Sequence, residues 1–117
     1  MQDSLDNLNH RLKQFAQERD WEQFHSPKNI SMALIAEAAE LVEHFQWLTQ
    51  EQSYRLDEEK REAVAMEMAD ILIYLIRLSE RLDLDLVDAA YRKLAINRSR
   101  YPTDSVRGDA RRAEEYD

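Results

Sequence analysis

The chain has 117 residues, with one glycine, two prolines and no cysteine. That length makes one domain, too poor in turn residues for β architecture and without a disulfide framework or thiol nucleophile, as suits a cytoplasmic protein. Sixteen basic against 24 acidic residues leave a formal net charge of −8, which argues against nucleic acid or an anionic membrane as partner but admits a small phosphorylated ligand that brings its own cations.

The N-terminal stretch MQDSLDNLNHRLKQF is polar and amphipathic, with no signal-type apolar run, and no segment approaches the roughly 20 apolar residues that span a bilayer. Leu5, Leu8, Leu12 and Phe15 share one face of a first helix expected from about Asp3 to Asp20. Pro27 disfavours helix at Ser26 and suits the first turn of a new one, so Ser26 reads as the N-cap of a second helix that ends near Thr49. A polar stretch, QEQSYRL, leads to Asp57, the N-cap of a third helix with Glu58 and Glu59 in its first turn. This third helix carries MADILIYLIRL, apolar on more than one side, as expected of a central helix buried by its neighbours or by another subunit. Asp85 caps a fourth helix over about Leu86 to Arg100, before Pro102. The remainder, residues 103–117, is charged, has no apolar stripe and reads as a flexible tail. The expectation is an all-α, four-helix bundle over residues 1–102, its second and third helices antiparallel neighbours.

Those two helices carry the chemistry. Glu37 and Glu40 on the second, and Glu67 and Asp70 on the third, are i, i+3 pairs, so each pair shares a helix face. Each face is otherwise apolar, with Ala33, Leu34, Leu41 and Phe45 around the first pair and Val64, Ile71 and Leu75 around the second. Converging acids repel and resist ionisation when desolvated. A hard divalent cation removes that conflict, so the pattern reads as a magnesium site, with Mn²⁺ a possible substitute. One such pair alone is ordinarily a solvated face; two on adjacent apolar faces are not. Glu43, a further step of three, extends the row as a ligand or as a support for one. A di-iron carboxylate bundle would need Glu-x-x-His on two helices, and only Glu22 and His25 match, at a helix break.

Trp21 and Trp47 flank the second helix beside polar neighbours, where flat rings stay accessible to stack on a nucleobase, although core or interface filling is the commoner use of tryptophan. His25, near Trp21, can hydrogen-bond a base edge or be an ordinary helix-end histidine. Tyr74 lies one turn beyond Asp70, beside any metal-bound group, with core packing as its alternative. Lys93, Asn97, Arg98 and Arg100 gather positive charge at the end of the fourth helix. The helix dipole accounts for some of them, while the Asn97 amide can both donate to and accept from one ligand.

Taken together, the segments ERDWEQFHSPKN, ALIAEAAELVEHFQW, EMADILIYLIRL and KLAINRSRYP resemble the all-α nucleoside triphosphate pyrophosphatases, the MazG-like superfamily, and within it the dCTP pyrophosphatase branch. They fall in the right order and cover roughly residues 16 to 102. The resemblance implies that Glu37, Glu40, Glu67 and Asp70 are magnesium ligands, that Trp21, His25, Trp47, Tyr74 and Asn97 enclose base and sugar, and that Lys93 faces phosphate. It implies hydrolysis of a nucleoside triphosphate to monophosphate and pyrophosphate by a homotetramer, a dimer of dimers with sites near subunit interfaces. Leu12 stands where relatives can carry a polar ring, and the stretch between the second and third helices is short; both bear on the choice of base.

The function expected is a Mg²⁺-dependent pyrophosphohydrolase of deoxynucleoside triphosphates that cleanses the nucleotide pool, with dCTP or a modified dCTP favoured. Glu40 or Glu37 serves as base as well as ligand. The alternatives are the same chemistry on dUTP, dATP or another non-standard triphosphate, and a non-catalytic helical oligomerisation or adaptor module that keeps the acids as a structural cation site.

Overall fold

Helix starts are set by local side-chain chemistry. Ser4, Ser26, Thr49, Asp57 and Asp85 each accept a hydrogen bond from the backbone N–H three residues on, at 2.8 to 3.1 Å, which satisfies one of the orphan donors of a helix's first turn. The computed structural model describes residues 4–111. Among these it holds α1 (Leu5–Glu18), a 3₁₀ turn (Glu22–Phe24), α2 (Pro27–Glu43), α3 (Gln50–Ser53), α4 (Glu58–Arg81), α5 (Leu86–Arg100) and α6 (Thr103–Val106), and no strand. The all-α class and its four long helices are as expected.

Boundaries moved where the chain changes its hydrogen-bond step. The second helix ends at Glu43 rather than near Thr49. From there three-residue bonds enter, His44 N–H to Leu41 O at 3.2 Å and Leu48 N–H to Phe45 O at 2.9 Å, beside one remaining four-residue bond from Gln46 N–H to Val42 O at 2.9 Å. Thr49 then opens a one-turn helix in the polar stretch read as a connection. Its hydroxyl accepts from the Gln52 N–H at 3.1 Å while Gln52 Oε1 accepts from the Thr49 N–H at 2.9 Å, a reciprocal cap. Helices α1 and α4 are each followed by an aspartate in the left-handed region, Asp20 and Asp83, both at φ 54°. Short polar residues tolerate this conformation best after glycine.

The chain divides between Asp83 and Leu84 into two compact units. In the first, α2 and α1 both pack on α4. Glu37 neighbours Asp70 while His44, further along α2, neighbours Glu67, earlier on α4, so α2 and α4 run antiparallel. Their buried apolar residues are few: Ile30 on α2, Val64 and Ile76 on α4, with Ala16 on α1. Large apolar side chains remain exposed, among them Met32, Ile35 and Val42 on α2 and Met68 and Leu72 on α4. Helical spacing sets these stripes on roughly the opposite side of each helix from the acid pairs. The second unit holds α5 and α6; the last six residues of the tail, 112–117, lie outside the described residues. No helix among the described residues is long and apolar enough to cross a membrane.

Candidate functional site

The packing of α2 against α4 brings acids from both helices into one cluster. One carboxylate oxygen each from Glu37, Glu67 and Asp70 lies within 4.8 Å of the others. Glu37 Oε2 and Glu67 Oε2 are buried with no hydrogen-bond partner. Ionised carboxylates have no proton to offer one another, so the cluster is frustrated as built. Burial, the adjoining carboxyls of Glu40 and Glu67, and the charges of Glu40 and Asp70 together push the Glu37 pKa up from 4.5 to about 7. Glu40 itself is exposed and stands beside Glu37 at the edge of the cluster. Glu43, at the end of α2, is exposed.

An all-oxygen donor set with two orphaned buried oxygens fits a hard divalent cation, whose charge would relieve the repulsion that the protein otherwise meets with a proton. Glu37, Glu67 and Asp70 are the residues that can hold it, with Glu40 adjacent. Burial, and then the charges of Glu37 and Asp70, raise the pKa of Tyr74, which places the phenol beside this cluster and keeps it neutral.

Two residues that sequence reasoning passed over contact candidate site residues, His44 the acid cluster and Arg77 the histidine His25. His44 Nε2 lies 3.9 Å from Glu67 Oε1. It continues the Glu37–Glu40 row at i+7 and i+4, and that spacing was the available signal. Arg77 interrupts the apolar run of α4 and is only 3% exposed. Its guanidinium reaches Glu80 at 3.3 Å, His25 Nδ1 at 3.4 Å and Glu22 at 3.9 Å. Glu22 and His25, the Glu-x-x-His considered for iron, are thus tied to an arginine.

The aromatic candidates keep exposed surface. Trp21 is 46% exposed and meets Phe15 edge-on, with ring centres 5.7 Å apart. Trp47, in the turns after α2, is 87% exposed. Lys93 and Asn97 lie on α5 in the second unit, Lys93 exposed and Asn97 half-buried.

An all-α protein whose two central helices press carboxylates together is the class that fold and geometry define. The chain belongs to the MazG-like family, whose model matches residues 32–115. It is 41% identical over 114 residues to dCTP pyrophosphatase 1 of Homo sapiens, covering 96% of this chain and 67% of that protein. It is 43% identical over 109 residues to dCTP pyrophosphatase 1 of Bos taurus, covering 92% and 64% respectively. The chain thus spans about two thirds of the length of these relatives. Its fold matches the crystal structure of a pyrophosphatase from Archaeoglobus fulgidus with a TM-score of 0.81 and 32% identity, over 87% of this chain and 95% of that one.

Proposed function

We propose that the chain is a magnesium-dependent nucleotide pyrophosphohydrolase. It cleaves deoxynucleoside triphosphates, dCTP and its modified forms first, to the monophosphate and pyrophosphate. The observation that carries the reading is the pair of buried, unpartnered carboxylate oxygens on Glu37 and Glu67. A protein gains nothing in stability from such a pair, and a cation-bound triphosphate gives it a use. The dCTP pyrophosphatases that the chain resembles support the reaction and the base.

Glu37, Glu67 and Asp70 would hold the cation, which when bound would neutralise phosphate charge and acidify water. Glu40, exposed beside Glu37, is reachable from solvent and is the acid best situated to take a proton from the attacking water. Tyr74, neutral beside the acids, packs against the sugar, where a 2′-hydroxyl would crowd it. Trp21 and Trp47 offer their exposed faces to the base, and His25 reads its polar edge; for Asn97 the resemblance implies a place at the base and sugar. For Lys93 the resemblance implies a phosphate partner. The work is mainly positioning and charge stabilisation, so this small set suffices.

The protein works in the cytoplasm as a homo-oligomer, a tetramer by resemblance. The sparse buried core and the apolar stripes through Met32, Ile35 and Val42 and through Met68 and Leu72 favour burial against further copies. Base choice is tested by pyrophosphate release from a panel of dNTPs and NTPs. The expected order puts dCTP and modified dCTP first, with CTP slower. A panel led by dUTP or dATP would keep the acids and discard the pocket assignment.

A further inference from the structure

Two arginines one turn apart on α4 grip the same histidine. Arg77 Nη2 approaches His25 Nδ1 at 3.4 Å, and Arg81 Nε donates to the His25 carbonyl oxygen at 3.1 Å, across 52 and 56 residues of sequence. A guanidinium has donors only, so Nδ1 must be the acceptor of that contact, and the ring proton is left on Nε2. Arg77 cannot readily turn away. It is 97% buried by its 3% exposure, and Glu80 and Glu22 hold it on either side. Glu80 is itself paired with Lys13 of α1 at 3.5 Å.

The position of this lock matters as much as its chemistry. Asp70, Tyr74, Arg77 and Arg81 follow one another at i, i+4, i+7 and i+11, one stripe of α4. His25 therefore stands about two helical turns, roughly 10 Å, along the axis from the acid cluster, with Tyr74 between them. A nucleotide whose phosphates meet the acids and whose sugar meets Tyr74 extends its base towards His25. This part of the inference rests on the nucleotide reading above.

We propose that Arg77 is a positioning residue that holds His25 as the Nε2–H tautomer, so that the ring presents a hydrogen-bond donor, and only a donor, to an acceptor atom of the bound base such as a pyrimidine carbonyl. Among the described residues, Arg77 and Arg81 on α4 oppose a second proton on the ring, and Glu22 of the 3₁₀ turn, which would favour one, stands 3.9 Å from Arg77. Burial, then Arg77 and Arg81, lower the His25 pKa against the opposing effect of Glu22.

The tautomer is read directly from the imidazole ¹⁵N resonances of the full chain, without nucleotide. The expected spectrum has Nδ1 unprotonated and Nε2 protonated at neutral pH. A proton on Nδ1, or on both nitrogens, overturns the inference whatever the enzyme does. Replacing Arg77 threatens the fold because it is buried among carboxylates, so variants of the ring carry the kinetic test. Gln sets an amide donor near the place of Nε2, and Asn sets one near Nδ1. His25→Asn should raise KM for dCTP about tenfold with kcat little changed, while His25→Gln recovers most of that loss. Equal KM values for the two variants would overturn the donor role even with the tautomer as stated. Wild-type protein that turns over no nucleotide at all would overturn the nucleotide reading, and with it the acceptor assigned to the ring.

Discussion

Glu37→Gln is expected to cut turnover by about a hundredfold or more and, in the same protein, to raise the melting temperature of the cation-free form at neutral pH. Losing a metal ligand costs at least as much as the tenfold to hundredfold typical of residues that merely support one. The stability gain follows from the cluster's frustration. Glu37 holds its proton to about pH 7 in the folded protein, because burial, its carboxyl neighbours and their charges all oppose ionisation. A native pKa raised above the unfolded value means that the folded state binds the proton more tightly. Its stabilisation is full below pH 4.5 and is lost as the pH rises through 7. Glutamine keeps the shape and never ionises, so the variant escapes that loss. Melting temperatures in chelator at pH 5 and pH 8 should show a variant advantage at the higher pH that shrinks at the lower. A variant less stable than wild type at pH 8 would mean that the acids are not in conflict.

The cation should reverse that conflict, and its effect should depend on pH. Binding requires a deprotonated Glu37, so Mg²⁺ or Mn²⁺ competes with the proton. Below about pH 7, affinity is expected to fall by up to about tenfold per pH unit, the dependence for one displaced proton. Above that, it levels off. Calorimetric titration at pH 6 and pH 8 measures this, and the rise in melting temperature on adding cation should likewise be larger at pH 8. Affinity that does not change across this range would place the cation elsewhere or leave Glu37 out of its ligand set.

Both expectations rest on residues that helical spacing alone made visible. Two carboxylate pairs at i, i+3 on otherwise apolar faces are a local pattern, and packing α2 against α4 needed only short connections to bring the pairs together. Helix starts were equally local, because Ser26, Asp57 and Asp85 cap through bonds three residues long. The early end of α2 was harder to see. Phe45, Trp47 and Leu48 continue an apolar pattern where the regular α-helical step gives way to mixed three- and four-residue bonds, and the Thr49–Gln52 cap marks the break. Arg77 could not be read at all, since its partners Glu22 and His25 lie more than 50 residues away and one arginine in an apolar run has no periodicity. His44 belonged to the acid row by spacing but was hidden by its residue type, which invites no carboxylate argument. The difference between the near-open Glu40 and the half-buried Glu37 depends on which side of α2 faces α4 and is a tertiary fact.

The most direct test of the central claim is ³¹P NMR of dCTP incubated with the protein in Mg²⁺, and again in excess chelator. Cleavage between the α- and β-phosphates gives dCMP and pyrophosphate in the first sample and nothing in the second, which is the predicted result. Formation of dCDP and orthophosphate, or cleavage that survives the chelator, would contradict it, as would intact dCTP beside folded protein.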